Sequence, residues 1–217
     1  MISLILLSAG EGRRFGSKKQ FERLFGKPLF MHSLERLMGL FDETLLVLPP
    51  GDLDRFSLPS SIRRVAGGKE RQDSVFNALL EAEGDVVVIH DCARPFAGTE
   101  LFLRVAQLGE YQGKICAVPV RDTVKRVVQG MVVETVDRSG LWLSQTPQAF
   151  NRRVLLECHF RARRDGFFVT DDAQLLESYG YRVGVVLGEV TNLKITYPEG
   201  PSSGGEYRRL LGYPEVP

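Results

Sequence analysis

The sequence predicts an α/β fold with a mostly parallel sheet and helices on both of its faces. Apolar runs of strand length alternate along the chain with segments whose apolar residues recur at helical spacing. The runs at Ile2–Leu7 and Asp85–His90 are almost uninterrupted, which is typical of strands buried on both faces of a parallel sheet. A chain of 217 residues has the length of one substantial domain, so we expect a single domain over 1–217.

The individual elements follow this alternation from one end of the chain to the other. Glycine and proline clusters, such as those at Pro49-Pro50-Gly51 and Gly67-Gly68, separate the segments. Strands are predicted at Ile2–Leu7, Thr44–Leu48, Ile62–Ala66, Asp85–His90, Ile115–Val118, Arg182–Leu187 and Leu193–Thr196. Helices are predicted at Phe30–Leu40, Glu70–Glu83, Thr99–Glu110, Arg152–Arg164 and Asp171–Tyr179. The stretch P-E-G-P-S-S-G-G at Pro198–Gly205 is typical of a linker, so we expect an irregular tail over about 198–217.

The pattern changes between Pro119 and Gly140, where valines stand among charged residues. Gln129-Gly130 predicts a turn between two short β-branched strands, and therefore an antiparallel hairpin over about 119–140. A two-stranded ribbon is too small to bury its own apolar face and usually packs on another surface. We expect this hairpin to be a dimerisation arm that packs on a second copy of the chain.

Composition excludes several classes of function. Lysine and arginine total 28 and aspartate and glutamate 27, so no overall basic field attracts nucleic acid. No apolar run approaches the roughly 18–20 residues of a membrane span. The cysteines Cys92, Cys116 and Cys158 have neither zinc-site spacing nor the pattern of a disulfide framework, which fits a reducing compartment. We therefore expect a cytoplasmic protein without nucleic-acid or membrane partners.

The segment that follows the first strand has the composition of an anion-binding loop. Gly10, Gly12 and Gly16 allow the backbone N–H groups to approach an anion, and four nearby cations add full positive charge. These cations are Arg13, Arg14, Lys18 and Lys19. The segment lacks the Gly-Lys-Ser/Thr step of a Walker A loop and the G-x-G-x-x-G spacing of a dinucleotide site. A bound triphosphate fits this pattern, and a tight turn with a solvated basic face remains the alternative.

Two further segments carry candidate binding residues near predicted strand ends. Asp91 and Arg94 follow the strand at Asp85–His90, where ligands bind in parallel α/β sheets. Asp91 is a candidate for a Mg²⁺ ion on phosphates and Arg94 for a second anion, or else they cap the turn and pair locally. Gly68 and Ser74 stand at a predicted helix start, where they could contact a base or simply initiate the helix.

Three more candidates come from the hairpin and from the last predicted strand. Thr123 and Arg138 lie at the root of the hairpin, where exposed charges are usually only solvated. Lys194 alternates with Leu193 and Ile195, so it points either to solvent or toward the ligand cleft.

Taken together, the ordered segments resemble the 2-C-methyl-D-erythritol 4-phosphate cytidylyltransferase family of the non-mevalonate isoprenoid pathway. The segments are S-A-G-E-G-R-R, K-Q-F, G-G-K-E-R-Q-D-S-V, H-D-C-A-R-P, V-R-D-T-V-K-R, V-D-R-S-G-L-W, T-P-Q-A-F, T-D-D-A and N-L-K-I-T. The resemblance covers the chain from Met1 to about Glu199. It implies a Rossmann-like nucleotidyltransferase fold, a homodimer joined by the arm, and transfer of a cytidylyl group from CTP to methylerythritol phosphate with Mg²⁺ or another divalent cation.

The resemblance also implies a role for each candidate residue. Arg14, Lys19, Lys194 and Asp91 would be catalytic, with Asp91 near the metal ion. The nucleotide would be bound by Ser8, Ala9, Gly10, Gly12, Gly68 and Ser74. The acceptor would be bound by Arg94, Thr123, Arg138 and Thr146, with Thr123 and Arg138 coming from the partner subunit.

The sequence departs from the family pattern in ways that leave alternatives open. Thr191 stands where the family commonly has aspartate, Lys69 stands where some members have an acidic residue, and the tail is polar rather than an apolar helix. A related enzyme that uses ribitol 5-phosphate or another polyol phosphate would share the nucleotide loop. A nucleotide-binding module without catalysis is the alternative from a different class. The charged residues Arg14, Lys19, Asp91 and Lys194 weigh against that module, because mere binding needs no charges at both ends of the transferred phosphate.

Overall fold

The computed structural model describes residues 1–10, 12 and 17–195. A seven-stranded sheet lies at its centre. The strands in chain order are β1 (Ile2–Leu7), β2 (Arg23–Leu24), β3 (Lys27–Pro28), β4 (Glu43–Leu48), β5 (Ile62–Ala66), β6 (Val86–Asp91), β7 (Gly113–Pro119), β8 (Val124–Val128), β9 (Met131–Val136), β10 (Trp142–Asn151) and β11 (Val183–Leu187). The helices are α1 (Leu29–Leu37), α2 (Arg71–Glu81), α3 (Thr99–Ala106), α4 (Arg152–Asp165) and α5 (Asp172–Ser178).

The central sheet is mostly parallel, with the strand order β11-β7-β10-β6-β1-β4-β5. Strands β6, β1, β4 and β5 run in one direction, and β7 and β11 are parallel to each other. Strand β10 runs antiparallel to both of its neighbours, β6 and β7. The carboxyl ends of the parallel strands and the beginning of β10 therefore lie at the same edge of the sheet.

Apolar residues on the two faces of the sheet form separate cores, each covered by helices. Helices α2, α4 and α5 cover one face through residues such as Val75, Leu155 and Leu176. Helices α1 and α3 cover the other face through Phe30 and Phe102, which are fully buried. This arrangement confirms the predicted α/β fold with helices on both faces.

Several element predictions need correction. The helix expected at Thr99–Glu110 ends at Ala106, because Gln107 has a non-helical ψ of 79°. Strand β10 was not predicted. The predicted strand at Leu193–Thr196 is wrong over its described part, because residues 192–195 form no strand. The helix expected at Phe30–Leu40 ends at Leu37. Gly39 adopts a φ of +79°, which is incompatible with a right-handed α-helix.

The predicted hairpin is present and protrudes as a separate two-stranded ribbon. Strands β8 and β9 pair antiparallel, and the turn at Gln129-Gly130 has φ values of 49° and 80°. Apolar residues on both strands are exposed, including Met131 at 66% and Val132 at 61%. The ribbon leaves this apolar surface uncovered within one copy of the chain.

Within the ranges that the structure describes, none of the helices has the length and apolar character of a membrane span.

The buried His159 on α4 predicts a pH-dependent stability. Its ring packs 5.9 Å from the ring of Phe76, and neither ring nitrogen has a hydrogen-bond partner among the described residues. Burial, aided by the nearby charges of Arg163 and Arg71, lowers the pKa of His159 to about 3.

We expect the free energy of unfolding to fall as the pH is lowered from 7 to 5. The unfolded chain then gains a proton near pH 6.5 that the folded chain does not accept. His159→Leu should reduce this fall by about 2 kcal/mol. Urea unfolding of the wild-type protein and of His159→Leu at pH 7 and pH 5 measures this difference. An equal fall in the free energy of unfolding of both proteins would contradict the prediction.

Candidate active site

A cavity of about 340 Å³ lies at the edge of the sheet where β1 and β6 end. Its wall comes from the turn after β1, the start of α2, the end of β6 and the segment that carries Lys194. It brings together nine of the residues predicted from the sequence, although they are far apart along the chain. These are Ser8, Ala9, Gly10, Gly12, Lys19, Gly68, Ser74, Asp91 and Lys194. Arg14 lies outside the described residues.

The start of α2 packs directly on the turn after β1. A side chain on Gly67 would overlap with the Cβ of Ala9, so glycine is needed for this close approach. The Gly68 N–H donates to Ser74 Oγ at 3.0 Å, and the Ser74 hydroxyl donates to the Glu70 carbonyl at 3.2 Å. These bonds fix the loop that forms one wall of the cavity. Contact of Gly68 and Ser74 with a base remains a prediction.

Asp91 at the end of β6 is the electrostatic centre of the cavity. Lys194 Nζ donates to its Oδ2 at 2.6 Å, and Arg71 Nε donates to its Oδ1 at 3.2 Å. Burial alone would raise the pKa of Asp91, but Arg71 and Lys194 outweigh burial and hold that pKa far below its usual range. The carboxylate is therefore charged at any physiological pH, and each of its oxygens has a cationic partner.

Arg71 was not among the predicted site residues. It is the first residue of α2, and the G-G-K-E-R sequence before it is typical of an ordinary polar helix start. Its Nη1 donates to Asp172 Oδ2 at 2.6 Å, and Asp172 is only 1% exposed. No signal in the sequence relates Arg71 to Asp172, because they stand 101 positions apart.

Lys194 is held in place by the loop that carries it rather than by a strand. Asn192 Nδ2 donates to the Thr146 carbonyl at 2.9 Å, and the Ile195 N–H donates to the Ala93 carbonyl at 2.8 Å. Lys19 Nζ then donates to the Ile195 carbonyl at 3.0 Å. Lys19 and the Lys194 loop thus meet at one side of the cavity.

Thr146 and Arg94 lie outside the cavity wall and hold it from behind. Thr146 is buried, and its hydroxyl oxygen accepts a hydrogen bond from the Asp91 N–H at 3.0 Å. Arg94 donates to the Asn192 carbonyl at 2.7 Å and so braces the Lys194 loop. Their predicted contact with an acceptor remains a prediction.

His90 completes the support beneath Asp91. Its Nδ1 lies 3.1 Å from Thr146 Oγ1 and its Nε2 lies 3.1 Å from the Arg94 carbonyl. Burial lowers the pKa of His90 to about 4, so the ring is neutral at pH 7. We assign the proton to Nε2, since the carbonyl can only accept. Nδ1 then accepts from the Thr146 hydroxyl, whose oxygen in turn accepts from the Asp91 N–H.

Thr123 and Arg138 do not line the cavity of their own chain. Both are exposed at the root of the arm formed by β8 and β9, and the Arg138 guanidinium donates to the Arg121 carbonyl. The structure therefore leaves these two residues available to another surface.

The described residues contain no group of three histidine, cysteine, aspartate or glutamate side chains that could hold a metal ion by themselves. Cys92, Cys116 and Cys158 are free and buried. Burial raises the pKa of Cys116 to about 12 and that of Cys158 to about 11, so neither thiol is a nucleophile at neutral pH.

Comparisons with known proteins agree with one another. The sequence model of the family described as 2-C-methyl-D-erythritol 4-phosphate cytidylyltransferase matches residues 2–203. A protein of that name from Aquifex aeolicus (strain VF5) is 60% identical over 199 residues, covering 92% of this chain and 93% of the relative. One from Bacillus mycoides (strain KBAB4) is 41% identical over 212 residues, covering 92% of this chain and 94% of the relative.

Solved structures show the same likeness. The crystal structure of 2-C-methyl-D-erythritol 4-phosphate cytidylyltransferase from Thermus thermophilus superposes with a TM-score of 0.82 at 33% identity, covering 94% of this chain and 98% of that one. The 4-diphosphocytidyl-2C-methyl-D-erythritol synthase from Anaerococcus prevotii superposes with a TM-score of 0.83 at 31% identity, covering 96% of this chain and 98% of that one.

Proposed function

We propose that the cavity around Asp91 is where this protein transfers a cytidylyl group, because the chain belongs to the 2-C-methyl-D-erythritol 4-phosphate cytidylyltransferase family. A phosphate oxygen of methylerythritol phosphate attacks the α-phosphorus of CTP. The bond between the α-phosphorus and the bridging oxygen breaks, and pyrophosphate leaves. The products are 4-diphosphocytidyl-2-C-methyl-D-erythritol and pyrophosphate.

This reaction needs alignment and charge neutralisation rather than a strong base, because the nucleophile is already an anion. The observation that carries the proposal is the meeting of Lys19 and the Lys194 loop beside Asp91 in one cavity. Two ammonium groups from separate segments can neutralise charge that spreads over a transferring phosphoryl group.

We assign the remaining roles from the family resemblance and from position. The backbone from Ser8 to Gly12 cradles the nucleotide, and Lys19, together with Arg14, holds the triphosphate. Gly68 and Ser74 face cytosine, since they form the wall next to Ala9. Arg94 and Thr146 act on the acceptor side, where they also brace the Lys194 loop and Asp91.

A Mg²⁺ ion fits the donor set, provided that the nucleotide supplies most of its ligands. Mg²⁺ is commonly held by one or two carboxylates together with substrate phosphates, and the cavity offers the carboxylate of Asp91. The ion would neutralise phosphate charge when bound. Arg71 and Lys194, which occupy the two oxygens of Asp91, would compete with it for that carboxylate.

We further propose a homodimer joined by the arm, with Thr123 and Arg138 contributed to the partner's cavity. The exposed apolar residues on both strands of the arm support this, since such a ribbon gains stability by packing on a second surface. The three free cysteines support a reducing compartment, which we take to be the cytoplasm.

The test is release of pyrophosphate from CTP and Mg²⁺ with methylerythritol phosphate, with ribitol 5-phosphate, or with no acceptor. We expect release that depends on methylerythritol phosphate. Release only with ribitol 5-phosphate would keep the chemistry and change the acceptor. CTP binding without release in any mixture would contradict catalysis and favour a binding module.

A further inference from the structure

We propose that Arg71 is a positioning residue that bridges Asp91 to the buried Asp172, and so fixes which oxygen of Asp91 faces Lys194. The proposal rests on the proposed function, because the reaction it serves is the transfer of the cytidylyl group. It adds two residues, Arg71 and Asp172, neither of which was among the predicted site residues.

The bridge joins three elements that are distant in sequence. Arg71 begins α2, Asp91 ends β6 and Asp172 begins α5. Arg71 Nε lies 3.2 Å from Asp91 Oδ1, and Arg71 Nη1 lies 2.6 Å from Asp172 Oδ2. The side chains of Asp91 and Asp172 are 13% and 1% exposed, so both carboxylates depend on protein partners rather than on water.

Asp172 is itself held in place, which makes it a firm anchor for the guanidinium. The neighbouring Asp171 caps α5 by accepting from the Ala173 N–H at 2.8 Å. The second oxygen of Asp171 accepts from Gln148 Nε2 at 3.1 Å, which ties the start of α5 to β10. The position of Arg71 is therefore set by the sheet and by α5 as well as by its own helix.

The geometry requires an arginine. A guanidinium presents several N–H groups in a rigid fork and can hold two carboxylates through different nitrogens, whereas the ammonium of lysine is a single point charge. Arg71 donates to the two aspartates from Nε and from Nη1, so one planar group sets the distance between them.

This bridge separates two tasks at Asp91. Arg71, which also lines the cavity, holds Oδ1 and is anchored by Asp172, while Lys194 contacts Oδ2. When a phosphate arrives and attracts Lys194, the Asp91 carboxylate keeps its orientation because Oδ1 remains bound. The ammonium can then move to the ligand without a rearrangement of the carboxylate beside it.

The experiment compares Arg71→Lys, Asp172→Asn and the double variant with the wild-type enzyme. Arg163→Lys is the matched control, since Arg163 also pairs with an aspartate near the start of α2, at 2.7 Å from Asp73, but outside the cavity. For Arg71→Lys and for Asp172→Asn we expect kcat to fall roughly 10- to 100-fold, with KM for CTP changed by less than about threefold. The double variant should be no worse than the more impaired single variant, because the two residues act as one unit.

The outcomes distinguish this proposal from its alternatives. A wild-type kcat in Arg71→Lys would overturn it, as would losses that multiply in the double variant. A rise in KM for CTP with unchanged kcat would overturn it too, and would mean that Arg71 binds the nucleotide directly. If Asp172→Asn does not fold, Arg71→Lys and its control carry the test.

A crystal structure of Arg71→Lys gives a readout that does not depend on activity. We expect the Asp91 carboxylate to turn and its contact with Lys194 to change. An unchanged Asp91–Lys194 pair would overturn the proposal even if the variant is slow. Absence of turnover in the wild-type enzyme would instead refute the proposed function, and the crystal structure would still decide the role of Arg71.

Discussion

Replacing Lys194 with alanine is expected to lower kcat by roughly 10²- to 10³-fold, the effect of removing one group that stabilises charge in a transition state. Lys194 lines the cavity with its Nζ 2.6 Å from Asp91 Oδ2, and it is one of the two ammonium groups that the transferred phosphate would meet. Folding should be little affected, since the lysine side chain is 38% exposed and Asp91 keeps Arg71 as a partner. Pyrophosphate release at saturating CTP and methylerythritol phosphate measures the change.

Lys114→Ala provides the control for Lys194→Ala. Lys114 lies on β7, donates to the Gln107 carbonyl and takes no part in the cavity wall. Its removal should leave kcat within about twofold of the wild-type value, as is usual for surface substitutions away from a site. If Lys194→Ala were as active as Lys114→Ala, the assignment of Lys194 to the transferred phosphate would be wrong.

Charging the apolar surface of the arm is expected to convert the proposed dimer into monomers and to remove most of the activity. Val127 and Val132 are register partners on β8 and β9 and are 54% and 61% exposed. In the double variant Val127→Lys/Val132→Glu the new side chains form a cross-strand pair of opposite charge, which preserves the hairpin. Packing these charges against a partner would cost their hydration, so the dimer should dissociate. Light scattering over a dilution series, with activity measured on the same samples, checks both expectations.

The matched control exchanges two exposed apolar residues outside the arm, in Leu80→Lys/Leu103→Glu. These residues lie on α2 and α3 and are 53% and 39% exposed. The control should remain dimeric and active. A charged-arm variant that is still dimeric, or one that is monomeric and fully active, would contradict the role of the arm.

Mixing two impaired variants tests whether the partner's arm completes the cavity, since removal of Arg138 should also lower activity if it binds the acceptor. Lys194→Ala and Arg138→Ala damage the same cavity from different chains if Arg138 acts across the dimer. A mixed dimer then contains one intact cavity, and an equal mixture should recover about a quarter of the wild-type activity. If Arg138 acts within its own chain, the mixture should stay inactive.

Much of the fold could be predicted because the sheet is buried on both faces. Strands such as Ile2–Leu7 and Val86–Asp91 are long apolar runs, and they alternate along the chain with segments whose apolar residues recur at helical spacing. Both signals are local in the sequence. Strand β10 has no such signal, since W-L-S-Q-T-P-Q-A-F-N mixes polar residues and a proline without a period of two. Its place between β6 and β7 is decided by long-range pairing.

The site was predictable where short segments carry their own chemistry, and not where residues act through distant partners. Lys19, Asp91 and Lys194 stand in distinctive segments and do line one cavity. Arg71 looks like any polar residue of a helix start until Asp172 is placed beside it. The predicted strand around Lys194 is wrong for a similar reason. Hydrogen bonds from Asn192 to the Thr146 carbonyl and from Ile195 to the Ala93 carbonyl hold that segment as a loop.

The reversed direction of β10 has a consequence for how the arm can vary. Strand β7 ends at Pro119 and β10 begins at Trp142, and both points lie at the same edge of the sheet because the two strands are antiparallel. The chain therefore leaves and re-enters the sheet at the same edge as the cavity, with no crossover between the two strands. Residues can be added to or removed from this excursion without shifting the pairing of β7 with β10. The reach of the arm toward a neighbour can thus be tuned by insertion length alone, independently of the geometry around Asp91.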